Sequence, residues 1–214
     1  MDNREVIETT VKNMKGLYKD IGGIMQIIEE NMENQGLKSF GMDAACTWGV
    51  SRSLKEPNYW LSTYFSRAYC KGDNSKKAVG FCIHMGGYST NDQKKLVQLS
   101  VKFPFVNVSL LEQKEDFKRK DAKERIEVWD WLWGAGWYED NVTTHRKIRN
   151  NLVFEKYEGG ARNVTYFVDL LRLTKKETIQ QLFIEPMLKL YEGEENWTTE
   201  NKLPILPIIA SEED

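Results

Sequence analysis

Apolar side chains near the start of the chain recur at alternating steps of four and three residues. They are Ile7, Val11, Met14, Tyr18, Ile21, Met25, Ile28 and Met32. This spacing keeps them on one face of an α-helix, close to the 3.5-residue repeat with which helices pack on one another. Gly36 stands where a C-terminal cap belongs, so the pattern predicts a long amphipathic helix over residues 4–35, although Gly22 and Gly23 leave two shorter helices open. The apolar face must be covered by the rest of the fold or by a second copy of the chain.

Beyond this helix the periodicity changes to an alternation of apolar and polar positions, which is typical of strands. The predicted strands cover residues 58–70, 78–85, 95–103, 105–111, 151–158 and 162–173. Within residues 78–85 bulky side chains alternate with small or polar ones, so this strand has one small face. Gly159 and Gly160 can adopt the positive φ angles of a tight hairpin, which predicts that the last two strands pair with each other.

Two further helices follow from the sequence. A short middle helix is predicted from Asp121 to Trp133, before a glycine-rich stop. A C-terminal helix is predicted to follow Thr174, which fits a capping box with Glu177. Pro186 is expected to kink or end this helix, because proline lacks an amide hydrogen and crowds the preceding turn.

The order of these elements predicts an α+β fold, in which helices cover one face of an antiparallel sheet of about five to six strands. In this interpretation residues 1–191 form a single domain and residues 192–214 form an acidic, proline-containing tail. The tail has seven acids and one base, a net charge of −6, so the rest of the chain carries +4 of the overall −2. Such a tail keeps a chain soluble or shields a basic surface.

The composition is that of an ordinary globular protein, since 214 residues with 41% hydrophobic content suffice for a core. No apolar run approaches the roughly eighteen residues that span a bilayer, and the first residues lack the order of a secretion signal. Cys46, Cys70 and Cys82 have no paired spacing. We therefore expect a cytoplasmic protein whose thiols are reduced.

The sequence gives little support for a metal site or a cofactor site. The chain has two histidines, and only Cys82 and His84 share a strand face, where they offer two metal ligands but no second pair completes four. Glycine-rich phosphate loops, serine hydrolase motifs and His-Glu-x-x-His are absent. The sequence predicts neither a metal site nor a cofactor.

One catalytic alternative rests on carboxylates at strand ends. Glu112 and Lys114 follow an apolar strand, with Asp92 upstream, and metal-dependent nucleases of the restriction-enzyme type present carboxylates to Mg²⁺ and a lysine to water in this way. A second version uses Asp169 and Glu185, although Met187 then takes the lysine position and Glu185 falls in the C-terminal helix.

The densest aromatic segment supplies the predicted binding residues. They are Trp129, Trp131, Trp133, Trp137 and Tyr138, followed by Arg146, Lys147 and Arg149. A core cannot easily absorb so many indoles from one helix, so at least one should line a groove or an interface. Rings beside cations suit single-stranded nucleic acid, whereas the plainer interpretation is a helix anchored by its indoles beside a solvated basic loop.

The element order is similar to the small dimeric fold of type III secretion chaperones and their non-secretion relatives. The similarity spans residues 1–191 and lies in topology, without a shared motif. It implies a dimeric binding protein that has no catalytic residues. We therefore expect a non-catalytic, homodimeric module that binds a protein or peptide, with a Mg²⁺-dependent nuclease or a single-stranded nucleic-acid binder as the alternatives.

Overall fold

The structure is a computed structural model that describes residues 2–39, 46–48, 64–72, 75–85, 97–99, 104–117, 143–157, 160–194 and 208–210. In chain order the strands are β1 (Lys38–Ser39), β2 (Cys46–Trp48), β3 (Tyr64–Cys70), β4 (Ser75–His84), β5 (Val97–Leu99), β6 (Phe105–Phe117), β7 (Thr143–Arg149), β8 (Leu152–Tyr157), β9 (Arg162–Asp169) and β10 (Ile208–Ala210). The helices are α1 (Asn3–Asn34), α2 (Lys176–Ile179) and α3 (Glu185–Glu192), and a π-helical turn (Gln180–Ile184) joins the last two.

Helix α1 is one continuous helix of 32 residues. Asp2 caps its start, since the carboxylate accepts a hydrogen bond from the amide of Arg4 at 3.4 Å. At the other end Gly36 adopts a left-handed φ of +74°, and Leu37 donates its amide to the carbonyl of Met32 at 2.9 Å. This is the Schellman pattern that glycine permits, and it confirms the predicted end of the helix.

The strands form an antiparallel sheet in the order β1-β3-β4-β6-β9-β8-β7, and β2 also pairs with β3. A separate pair joins β5 to β10, so residues 208–210 of the predicted tail form a strand, while Glu192 still belongs to α3. The predicted α+β class and antiparallel sheet are confirmed. The sheet has seven strands in a row rather than five to six, because β1 and β7 add a strand at each end while β5, from the predicted strand 95–103, pairs with β10 instead.

One face of the sheet carries the hydrophobic core. Bulky residues alternate on neighbouring strands, namely Val79, Phe81 and Ile83, Val106, Val108 and Leu110, and Val164, Tyr166 and Val168. The helices pack on this face, as the ring contact between Phe81 and Phe183 at 5.2 Å and the hydrogen bond from the Tyr166 hydroxyl to the Phe183 carbonyl show. The small face predicted for β4 is therefore the opposite one.

The C-terminal helix starts one residue later than predicted, and of the two outcomes expected at Pro186, a kink or an end, the end does not occur. It begins after Lys175, and the hydroxyl of Thr178 contacts both the amide and the carbonyl of Lys175, so Thr174 is not the cap. Pro186 does not end the helix, which continues to Glu192. The π-helical turn before it widens the backbone, so that the amide of Glu185 bonds to the carbonyl of Gln180, five residues back.

The predicted middle helix, from Asp121 to Trp133, lies outside the described residues. So do Asp92 and all five aromatic residues of the predicted binding segment, which are Trp129, Trp131, Trp133, Trp137 and Tyr138.

Candidate binding surface at the β7 edge

Strands β7 and β8 form a tight hairpin that the sequence analysis missed. Asn150 and Asn151 join them with φ values of +52° and +59°. A two-residue turn with both central residues at positive φ matches the twist of the flanking strands, and asparagine tolerates this conformation well. The basic run from His145 to Arg149 is thus a strand and not the loop that we predicted.

Strand β7 stands at the end of the sheet order, and no described strand pairs with its outer side. In an antiparallel pair every second residue directs its amide and carbonyl away from the partner strand. An edge strand therefore presents a row of backbone donors and acceptors that can accept another extended chain. This edge is where the structure places the predicted basic residues.

Alternation along β7 separates the three predicted cations. Lys147 and Arg149 are exposed on one face of the strand, together with His145. Arg146 lies on the other face and donates from Nε to Glu155 Oε1 at 2.9 Å. The structure therefore assigns Arg146 to a structural ion pair and leaves Lys147 and Arg149 available at the surface.

Glu155 explains why Arg146 is held in place. Its side chain is almost fully buried, and it also accepts hydrogen bonds from Asn163 at 2.8 Å and from the Tyr157 hydroxyl at 3.2 Å. A buried carboxylate is costly unless cations and donors surround it. Arg146 completes that shell, so its loss would leave an uncompensated charge in the sheet.

One further cation, Lys156, enlarges the exposed basic face. Lys156 pairs across the ladder with His145 on one side and with Arg162 on the other. Phe154 pairs with Lys147 and is half-buried against the core. We define the basic edge as His145, Lys147, Arg149 and Lys156. A period-two reading of the sequence, together with Asn150-Asn151 as a hairpin signal, would have found His145 and Lys156.

The nuclease candidates are engaged in structural contacts. Glu112 on β6 forms ion pairs with Lys77 at 2.9 Å and with Arg162. Burial raises the pKa of this carboxyl, but the hydrogen bonds from Arg162 and Lys77 outweigh burial and leave the pKa below its ordinary value. Lys114 also lies on β6, while its side chain is outside the described part.

The second carboxylate pair is not assembled as a metal site. Asp169 is half-buried at the end of β9 and accepts a hydrogen bond from the amide of Leu171 at 3.0 Å. Glu185 is exposed on the C-terminal helix, as its position in the sequence predicted. Among the described residues, no group of three or more histidine, cysteine or acidic side chains could hold a metal ion.

The small face of the sheet holds a buried polar network. His84 Nε2 lies 2.9 Å from Asn107 Oδ1, and its ring stacks on Phe105. On the neighbouring strands Ser109 bonds to Thr165 at 2.8 Å. Burial lowers the pKa of His84 to about 4, although the hydrogen bond with Asn107 acts to raise it. The imidazole is therefore neutral near pH 7, which suits a structural hydrogen bond.

The described part of the chain contains no helix with both the length and the apolar character needed to cross a bilayer. The similarity to type III secretion chaperones stays a prediction, because none of these contacts bears on it. In comparisons with known proteins, no family model, no curated protein and no solved structure matches the chain.

Proposed function

We propose that the protein is a non-catalytic binding module that takes up an acidic peptide in extended conformation along β7. The observation that carries this proposal is the coincidence of an edge strand and two exposed cations, Lys147 and Arg149, on one of its faces. Backbone pairing supplies affinity in such β-strand addition, and side chains at alternate positions supply selectivity. The sequence predicted a protein or peptide as the partner, and we narrow this class to an acidic peptide that binds as an extended strand.

The spacing of the cations fits this ligand. Alternate residues of a strand are about 6.8 Å apart on the same face. A peptide with acidic side chains at every second position repeats at the same interval, so each carboxylate reaches one cation of the basic edge. Lys156 extends the positive face onto the next strand, which favours a ligand rich in carboxylates.

A peptide accounts for the surface better than single-stranded nucleic acid does. An open strand edge offers backbone amides and carbonyls, with which an extended peptide can pair. A nucleic acid has no backbone amides with which to form such a ladder.

We propose that the protein is cytoplasmic, which is also the expectation from the sequence. Cys70 and Cys82 are buried thiols that form no disulfide. Free thiols are usual in a reducing compartment, whereas extracellular domains commonly join their cysteines in disulfides.

The proposal is tested by fluorescence anisotropy with the full-length chain and a labelled seven-residue peptide of alternating Glu and Val. Replacing both Lys147 and Arg149 with Glu should weaken binding at least tenfold, because two attractive contacts become repulsive. The double substitution of Lys175 and Lys176 by Glu is the matched control. It makes the same change in net charge at exposed residues far along the chain, and we expect wild-type affinity from it.

Three other ligands separate the alternatives. The same peptide with N-methyl groups on every second amide keeps its charge but cannot pair as a strand, and we expect it to bind at least tenfold more weakly. A peptide with Lys in place of Glu should not bind. An oligothymidine that binds while the acidic peptide does not would replace the proposal with nucleic-acid binding. Equal affinity for the methylated and unmethylated peptides would rule out strand addition.

A further inference from the structure

Helix α1 uses only part of its apolar stripe inside its own fold. Ile21, Ile28 and Met32 are at most 2% exposed and lie in the core. Nearer the start, Val6, Ile7 and Val11 are 44%, 63% and 44% exposed, and Leu17 is 41% exposed. Four of the five large apolar residues exposed in the described part of the chain therefore belong to one half of one helix.

Three of these side chains form one continuous surface. Ile7 and Val11 continue the row that leads through Met14 and Tyr18 to the buried Ile21, and Leu17 lies beside that row. Val6 directly precedes Ile7 and therefore points about 100° away from it around the helix. Residues 3–17 correspond to about 22 Å of helix at ~1.5 Å per residue. We call residues 3–17 the exposed segment of α1. A contiguous apolar patch of this kind marks an interaction site more often than scattered apolar residues do.

We propose that the exposed segment of α1 pairs with the same segment of a second copy of the chain, with the two helices antiparallel. The charges beside the stripe argue for this occupant. Glu8 and Lys15 are exposed and seven residues apart, so they flank the stripe on the same side. In an antiparallel pair the two-fold axis places Glu8 of each copy near Lys15 of the other, which gives two attractive contacts.

A parallel pair does not use these charges. In a parallel pair, Glu8 and Lys15 face the opposite flank of the partner's stripe, which carries the uncharged Asn3 and Thr10, so neither charge meets an opposite one. Glu8 already forms an exposed ion pair with Arg4 of its own helix at 3.1 Å, with side chains 82% and 67% exposed for Arg4 and Glu8. Such pairs contribute little, so this one does not hold Glu8 away from a partner.

The expected affinity is modest. Two helices in contact over about 22 Å bury less than the roughly 1,200 Å² of a standard stable interface. We therefore expect a dimer that forms in the range of tens of micromolar. This inference stands apart from the acidic-peptide proposal, because α1 and β7 present different surfaces.

Sedimentation velocity of the full-length protein from 5 to 200 µM tests the pairing. We expect the sedimentation coefficient to rise with concentration for the wild type. With Ile7 and Val11 both changed to Asp, the protein should stay monomeric throughout, with an unchanged melting temperature because both residues are exposed. A wild type that is monomeric at 200 µM, or a variant that associates like the wild type, would overturn the proposal.

Charge reversals test the antiparallel orientation. Glu8→Lys alone or Lys15→Glu alone should weaken association roughly tenfold, since each turns two attractive contacts into repulsive ones. The two substitutions in one chain restore the attraction and should recover the affinity to within about threefold. Glu30→Lys, at an exposed site in the other half of α1, is the control and should have no effect. Loss of affinity without recovery in the double variant, or no loss in the single variants, would exclude the antiparallel pair.

Discussion

The two halves of helix α1 carry one apolar stripe and have opposite environments. From Ile21 to Met32 the stripe lies in the core, whereas Val6, Ile7, Val11 and Leu17 face solvent in the single chain. The helix is about 48 Å long at ~1.5 Å per residue, and only its second half contributes fully buried side chains. An apolar stripe thus predicts that one face of the helix is buried. Whether the same chain buries it depends on how far the neighbouring elements extend along the helix.

The two halves should differ most in how much stability is lost when one isoleucine of each half is replaced by alanine. Ile28→Ala should lower the free energy of unfolding by about 2–5 kcal/mol, because Ile28 is fully buried and the change leaves a cavity. Ile7→Ala should change it by less than about 0.5 kcal/mol, since that side chain is already exposed. Urea denaturation at a few micromolar measures both. Equal effects would mean that the exposed segment is packed within the monomer.

Acid should weaken the sheet on which the second half of α1 rests. His84 ordinarily titrates with a pKa near 6.5, but burial lowers its pKa to about 4 in the folded state. Between pH 6.5 and pH 4, His84 is therefore mostly protonated in the unfolded chain and mostly neutral in the folded chain. The free energy of unfolding should fall by up to about 3 kcal/mol as the pH drops from 6.5 to 4.

Urea denaturation as a function of pH checks this expectation, with His84→Gln as the comparison. Glutamine can keep a hydrogen bond to Asn107 but has no group that titrates, so the variant should lose most of the slope between pH 6.5 and 4.5. Glu112 contributes only at lower pH, because its pKa lies below the ordinary value. An undiminished slope in the variant would show that His84 is not the cause.

A polar contact in the second half of α1 should give an effect of intermediate size. In the second half, Glu29 accepts hydrogen bonds from Arg67 at 3.0 Å and from the Tyr69 hydroxyl at 2.8 Å, both on β3. Glu29→Gln removes the charge that pairs with Arg67 and should cost about 1–2 kcal/mol. Glu30 is exposed on the same turn, so Glu30→Gln should cost less than about 0.5 kcal/mol. Thermal denaturation followed by circular dichroism compares the two variants.

The smallest expected effects come from the glycines of α1. Gly22 and Gly23 lie inside the helix, and a Cβ added at either would meet no atom within 4 Å. Replacing each with Ala should therefore stabilise the protein by about 0.5–1 kcal/mol, through a smaller loss of backbone entropy on folding. A higher melting temperature for the double variant is the expected result. A lower one would show that flexibility at these glycines is needed for packing.

The sequence predicted the elements whose pattern is strong and local. The stripe of α1, its cap at Gly36, the two faces of β4 and the hairpin around Gly160 are all in the structure, because each follows from a fixed side-chain period or a backbone angle. The number of strands predicted for the sheet was too low. Strand β7 has cations at three of its seven positions, including the consecutive Arg146 and Lys147, so it lacks the alternation of apolar and polar residues that marks a strand in the sequence.

The candidate site was predicted in part for the same reason. Arg146, Lys147 and Arg149 were grouped by their closeness in sequence, although a strand sends Arg146 to one face and the other two to the opposite face. The observed ladder shows that Glu155 holds Arg146, which no sequence pattern indicates, and it places His145 and Lys156 on the exposed face. Carboxylates such as Glu112 and Asp169 carry no sequence signal that distinguishes an ion pair or a cap from a catalytic role.

Hydrogen–deuterium exchange of the wild type at 2 and at 200 µM tests the comparison between the halves of α1 most directly. We predict that residues 18–34 are protected equally at both concentrations, because the core covers them. Residues 3–17 should exchange rapidly at 2 µM and become protected at 200 µM, when a second copy covers them. Protection of residues 3–17 that is the same at both concentrations would contradict the account.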